Sequence, residues 1–235
     1  MSASSAVAPQ PAATVILLRD ASDGCEVLLV RRNPQLSFHG GAWVFPGGRV
    51  DREDYVAAGD YSDLVEAARH AAVREAYEEA GMVVAPESLV VVSRWLTPEG
   101  VPKRFDAWFF AGRAGSDAVQ VDGGEIHEHR WIRSIDALRL QRAGEMDLPP
   151  PTWVTLDRLA GWRTVSEVLG AAGRGPMEFF VPRLHVVADG ACTLYAGDAA
   201  YESGDLDQPG PRHRLWMVDS GWWYERSTAE DGGSQ

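Results

Sequence analysis

Residues 74–81, REAYEEAG, constrain this chain more than any other stretch. They close an alanine-rich run over 62–80, and Gly81 follows where a helix would end in a left-handed residue. On a helix, Glu75, Glu78 and Glu79 fall within about 100° of arc. Like charges three or four residues apart each cost roughly 0.2–0.5 kcal/mol. Glu78 and Glu79 also stand near the negative end of the helix dipole, where cations are preferred. Arg74 reaches Glu78 at i+4, but in the weaker orientation. A solvated acidic face would tolerate this cluster without explaining it. A set of carboxylates for a hard cation such as Mg²⁺ or Mn²⁺ would explain it, because these ions favour oxygen ligands.

Around this helix the pattern is mixed. ATVILLRD (13–20) and CEVLLVRR (25–32) are β-rich and joined through Asp23-Gly24, which predicts a hairpin or a pair of neighbouring strands. A loop with Gly40, Gly41, Pro46, Gly47 and Gly48 follows. Further strands are expected over 88–96, 104–113 and 125–132, and a helix over 134–144 with Ser134 as its cap. Pro149, Pro150 and Pro151 interrupt the chain. Two short helical segments are expected around 155–170, then β-hairpins in 183–201 and 213–226. Strands outnumber helices around one long helix, which predicts a mixed α/β layered domain. The expected organisation is a disordered tail over 1–12, a main domain over 13–151, an appended α+β segment over 152–227 and a second tail over 228–235.

The net charge of −12 argues against nucleic-acid polymers and anionic membranes as partners. It leaves room for a small anionic substrate, since bound cations invert the local charge. No apolar run reaches the length of a membrane span, and the N-terminus lacks the pattern of a secretion signal. Cys25 and Cys192 show neither metal-type spacing nor a disulfide framework, so a cytoplasmic location is the simplest expectation.

WVFPGG (43–48) followed by Glu66, Arg74-Glu75, Glu78-Glu79, Gly81 and Met82 resembles the Nudix hydrolase signature, G-x5-E-x7-R-E-U-x-E-E-x-G-U. Position 60, where the first glycine belongs, is Asp60. Taking Gly48 as that glycine puts about twelve extra residues inside the motif. Such an insertion resembles the branch of peroxisomal coenzyme A diphosphatases and their bacterial relatives. TPEGVPKRFDAWFF (97–110), GGEIHEHRWI (123–132), LPPPT (148–152) and YAGDAAY (195–201) also resemble segments of that branch. Residues 49–60 mix four acidic residues with Gly59 and show no period, so a surface loop is expected there.

The resemblance implies an α/β/α sandwich with a mixed sheet and a diphosphatase that requires Mg²⁺ or Mn²⁺. Glu75, Glu78 and Glu79 are the expected metal ligands, with Glu75 doubling as general base. Arg74 would orient a glutamate. Glu66 lies opposite Glu75 by helix phase and takes a supporting role. Glu125 is preferred over Glu128 as the carboxylate from outside the helix, because strand alternation puts Glu125, His127 and His129 on one face. The histidines are expected at the surface or in packing. Arg32, Gly47, Gly48, Lys103 and Arg104 are the substrate-binding candidates, Arg104 foremost among the cations, with Arg31 and Arg94 behind. Trp95, Phe105, Trp108 and Trp131 are expected to be mostly core.

Coenzyme A or an acyl-CoA leads narrowly as substrate. Leu28, Leu29, Arg32, Gly41 and residues 45–48 fit the coenzyme A motif that precedes the box in that branch, while Val30, Asn33 and Ser37 depart from it. The alternatives are ADP-ribose or another nucleotide sugar, and a non-catalytic ligand-binding module. A small nucleotide-diphosphate molecule is the expected partner, and a homodimer is compatible with the sequence.

Overall fold

The computed structural model describes residues 7–35, 39–115, 118–121, 124–174 and 177–227. Residues 1–6 of the first expected tail, the whole of the second and Ser37 lie outside these residues; within the first tail, strand β1 already begins at Gln10. The chain divides into two compact units. The larger comprises Gln10–Trp95 and Phe105–Glu178.

In the larger unit, β1 (Gln10–Ala21) and β2 (Gly24–Arg32) form the expected hairpin, with Leu18 opposite Val27 and Ala21 opposite Gly24. Gly24 sits at φ 129°, a conformation that favours glycine. Two short strands follow, β3 (Trp43–Val44) and β4 (Gly47–Arg49). Beyond them are β5 (Val90–Leu96), β6 (Phe105–Arg113) and β7 (Ile126–Arg133). The sheet order runs β3-β2-β1-β6-β5, with β4 paired to β1 and β7 to β2. β1 and β6 are parallel, whereas β1 and β2 are antiparallel, so the sheet is mixed as expected.

Two helices precede β5. The first, α1 (Arg52–Ala58), corrects the expectation of a loop over 49–60. The second, α2 (Leu64–Ala80), is the acidic helix; Asp63 caps it by accepting from the Glu66 N–H, and Gly81 ends it at φ 67°. Its buried side is almost entirely alanine: Ala67, Ala68, Ala71, Ala72, Ala76 and Ala80. Small side chains let the helix lie close on the sheet, against Val15, Leu17, Leu28, Trp108 and Phe110. Ile16 and Leu18 on the other side of β1 are also fully buried. Burial on both faces marks β1 as an inner strand of a layered α/β domain.

Helices α3 (Ser134–Arg142), α4 (Pro150–Leu159) and α5 (Val165–Ala172) complete this unit. Ser134 is the first helical residue and not the cap; Arg133 occupies that position with no side-chain cap bond. Pro150 and Pro151 open α4, where a missing N–H costs nothing. α5 starts with a capping box between Thr164 and Glu167. Residues 152–178, expected as the start of the appended segment, thus fall in the larger unit. The short strand β8 (Glu178–Phe180) runs across the division.

The smaller unit contains β9 (Arg183–Val187), β10 (Gly190–Leu194), β11 (His213–Val218) and β12 (Gly221–Arg226), in the antiparallel order β12-β11-β10-β9. Both hairpins expected from the sequence are present. The YAGDAAY segment places Asp198 against Arg214 at 2.6 Å, with both side chains almost fully buried. Asp198 also accepts from the His213 and Ala200 N–H groups, so this buried pair is well solvated by the protein. Among the described residues, no helix is long and apolar enough to cross a membrane.

Candidate active site

The last two turns of α2 face the start of β4. β4 is held by β1, with Gly47 opposite Thr14 and Gly48 opposite Ala13. The Gly47 N–H donates to Glu79 Oε2 at 3.0 Å. A Cβ on Gly48 would stand 2.1 Å from Glu75 Oε1, so the Glu75 carboxylate fills the space beside that glycine. Both acids therefore adjoin one glycine pair, and the absence of side chains there is what admits them.

Burial sets the electrostatics of the two acids. Glu79 is 5% exposed. Desolvation pushes its carboxyl up to about 8, against the opposing pull of the Gly47 N–H and Arg32. Glu75 is also raised, chiefly by burial and despite the adjacent guanidinium of Arg74. Glu78 is more open, with half its side chain exposed.

Arg74 ties the acids together. Its Nη1 donates to Glu75 Oε1 at 2.7 Å and to Glu78 Oε2 at 2.9 Å. Its Nε and Nη2 form a fork on Asp54, at 3.2 and 3.0 Å, and Nη2 also reaches the Arg49 carbonyl at 2.9 Å. The hydrogen bonds to Asp54 are the main reason the guanidinium holds its proton more tightly than an ordinary arginine. Arg74 thus touches both Glu75 and Glu78. Asp54, the partner supplied by α1, was absent from the sequence-based candidates.

Among the described residues, no three His, Cys, Asp or Glu side chains stand preassembled for a metal ion. The acids are instead engaged by protein groups, Glu75 and Glu78 by Arg74 and Glu79 by the Gly47 N–H. The donor set still fits Mg²⁺ or Mn²⁺. It is all oxygen, it lies at one end of one helix, and desolvation raises the carboxyls of buried Glu79 and partly buried Glu75 above their ordinary acidity.

The other candidates separate clearly. Glu125 stands one residue before β7, and its charge is felt by both Glu75 and Glu79. Arg32 Nη2 is 4.0 Å from Glu125 Oε2, so this pair borders the same acids. Glu128 pairs with Arg31 at 3.0 Å, away from this arrangement. A register shift between Arg31 and Arg32 breaks the simple alternation from which the face assignment was read. His127 and His129 are exposed, as expected. Glu66 holds Arg69, whose Nη1 also donates to the Leu89 carbonyl; it lies at the far end of α2 from Glu75.

Arg94 forks onto Asp106 and lies over the Trp108 ring, so it braces neighbouring strands. The leading cation candidate needs correction. Arg104 is 7% exposed, with Nε donating to the Thr97 carbonyl and Nη1 to the Val7 carbonyl. Two of its three nitrogens are committed to the backbone, which makes it a structural arginine in the smaller unit. Lys103 beside it is exposed. Trp95 and Trp108 are buried core residues, as expected.

The raised carboxyl of Glu79 has a measurable consequence. From the ordinary value of 4.5 up to about 8, the folded protein holds a proton on Glu79 that the unfolded chain has lost. Stability from this group is therefore full below the lower value and is lost as pH rises through the upper one. In EDTA, the melting temperature of the parent should fall relative to Glu79→Gln across that window. Parallel pH profiles for the two proteins would show that Glu79 ionises as an ordinary surface acid.

The family description "NUDIX domain" matches residues 8–151, more than half of the chain. Two curated relatives support the comparison. The human acyl-coenzyme A diphosphatase NUDT19 is 33% identical over 116 residues, covering 46% of this chain and 31% of that protein. The peroxisomal coenzyme A diphosphatase ndx-8 of Caenorhabditis elegans is 42% identical over 74 residues, covering 31% of this chain and 27% of that protein. The chain thus spans less than a third of either relative's length. Among solved structures, a NUDIX hydrolase from Alicyclobacillus acidocaldarius superposes with a TM-score of 0.64 at 24% identity, covering 72% of this chain and 99% of that one. This likeness establishes the fold.

Proposed function

The chain belongs to the Nudix family, and on that premise we propose that it is a divalent-cation-dependent hydrolase of nucleoside diphosphates linked to another moiety. The observation that carries this reading is the buried carboxylate of Glu79 and the partly buried one of Glu75, packed against Gly47 and Gly48 with Arg74 alongside. An isolated acidic surface would not need to bury them.

In this reading Glu75, Glu78 and Glu79 hold Mg²⁺ or Mn²⁺. Bound there, the cation would neutralise diphosphate oxygens and lower the pKa of an associated water. Glu75 is the general base that takes the proton of the attacking water, a role helped by its raised basicity. Glu125 adds a carboxylate from outside α2. Arg74 keeps Glu75 and Glu78 in fixed orientations, and Glu66 supports the helix from its other end. Gly47 and Gly48 keep the backbone close to the acids. Arg32 offers positive charge for phosphates. The buried free thiols of Cys25 and Cys192 are compatible with a cytoplasmic, reducing compartment.

Coenzyme A or an acyl-CoA is the favoured substrate, supported by the names of the two curated relatives. ADP-ribose or another nucleotide sugar is the second reading. It gains from the internal engagement of Arg104, which removes one cation expected for the 3′-phosphate of coenzyme A. Incubation with a panel of diphosphate conjugates and Mg²⁺ or Mn²⁺, followed by mass spectrometry, separates the readings. Coenzyme A should yield 3′,5′-ADP and 4′-phosphopantetheine. Faster cleavage of ADP-ribose than of any coenzyme A species would move the substrate to the second reading. Binding without turnover across the panel would leave a non-catalytic ligand-binding module.

A further inference from the structure

We infer that Asp54, carried by helix α1 within the insertion, is a positioning residue that controls how Arg74 shares its charge with Glu75 and Glu78. The inference rests on the metal-binding role proposed above for those acids.

Asp54 is 3% exposed, although it sits in a seven-residue helix whose neighbours are largely open to solvent. Burying a carboxylate is costly unless it is paired and hydrogen-bonded. Here it accepts the two-pronged fork from Arg74 and the Asp51 N–H at 2.8 Å. The fork fixes the Nε–Nη2 edge of the guanidinium. The remaining nitrogen, Nη1, is the one that meets Glu75 and Glu78.

Among the described residues, a guanidinium lacking Asp54 would keep the two glutamates and the Arg49 carbonyl as hydrogen-bond partners, with the exposed Asp51 carboxylate more distant at 3.9 Å. It would then turn more of its charge onto the acids and compete with a cation for them. Asp54 draws part of that charge away while keeping the plane of the guanidinium fixed. Glu66, by contrast, is paired with Arg69, so within α2 it does not supply this counter-charge. The insertion thereby contributes to the acid site through one buried side chain.

The test is direct Mn²⁺ binding, read by electron paramagnetic resonance of the free ion, with steady-state kinetics alongside. Asp54→Asn keeps the shape but replaces an accepting oxygen with an amide that cannot take the fork. It should weaken Mn²⁺ about 10-fold, within the range seen when groups that orient metal ligands are removed. If Asp54 acts through Arg74, the same change in an Arg74→Gln background should have no further effect. An Mn²⁺ affinity within about twofold of the parent, in a folded Asp54→Asn protein, would overturn the inference. An equal loss in both backgrounds would overturn it too, because Asp54 would then act without Arg74. Should Asp54→Asn not fold, Asp54→Glu, which displaces the charge by one methylene, is read in the same two backgrounds by the same criteria. A parent that binds Mn²⁺ but cleaves no diphosphate conjugate would refute the proposed hydrolysis and leave this binding cycle readable.

Discussion

Glu79→Gln should lower turnover by about 10²-fold or more while leaving the metal-free protein folded and at least as stable as the parent. The first half follows from the proposed role. A bound cation contributes several kcal/mol of charge stabilisation, and each 1.36 kcal/mol lost is tenfold in rate. The amide oxygen of glutamine is a weak substitute for a carboxylate at a hard cation. The second half follows from burial. Glu79 is nearly inaccessible and resists ionisation because the charged form is desolvated. Glutamine removes that penalty while its carbonyl oxygen can still accept the Gly47 N–H. Purified variant and parent should be compared by steady-state rate, Mn²⁺ titration and melting temperature in EDTA. Turnover near that of the parent would remove Glu79 from the site. A large loss of both turnover and stability would show that the residue holds the fold.

The parts of this site that were legible in the sequence are those specified by local spacing. The helix carrying Glu75, Glu78 and Glu79 announces itself through its alanine face and its closing glycine, both of which operate within a few turns. The hairpins at both ends of the chain were readable for the same reason. What escaped depends on partners distant in sequence. Helix α1 has only seven residues, too few to display a period, and its buried acid is satisfied by Arg74, twenty positions away. Arg104 fits a familiar local pattern, yet one of its partners is the Val7 carbonyl, ninety-seven positions away. Glu125 and Glu128 were separated by counting alternate residues along a strand. Glu125 lies before the strand, and the β2–β7 register shifts between Arg31 and Arg32, so simple alternation does not describe this stretch.

The glycine pair offers the second large effect, because two adjacent residues of the same kind should fail in different ways. Gly48→Ala should cut activity by one to two orders of magnitude, on the order of 2 kcal/mol in barrier, with a modest change in melting temperature. Its new Cβ would stand 2.1 Å from Glu75 Oε1 and 2.5 Å from the carboxyl carbon. Something must move, and the nearest obstacles are the tip of a side chain that can rotate away. The fold survives that motion, but the proposed general base leaves its place. Gly47→Ala meets a different obstacle. Its Cβ would lie 2.5 Å from the Ala13 carbonyl oxygen and 2.9 Å from Thr14 Cα, both backbone atoms of β1. A strand buried on both faces cannot yield cheaply, so overpacking there should cost about 1–3 kcal/mol of stability or more. Neither glycine has a positive φ, so the difference lies in what surrounds each and not in backbone strain. Melting curves and steady-state rates on the two single variants decide the matter. The arrangement is upheld if Gly48→Ala loses mainly rate and Gly47→Ala loses mainly stability, and the packing of Glu75 against Gly48 is refuted if Gly48→Ala keeps full activity.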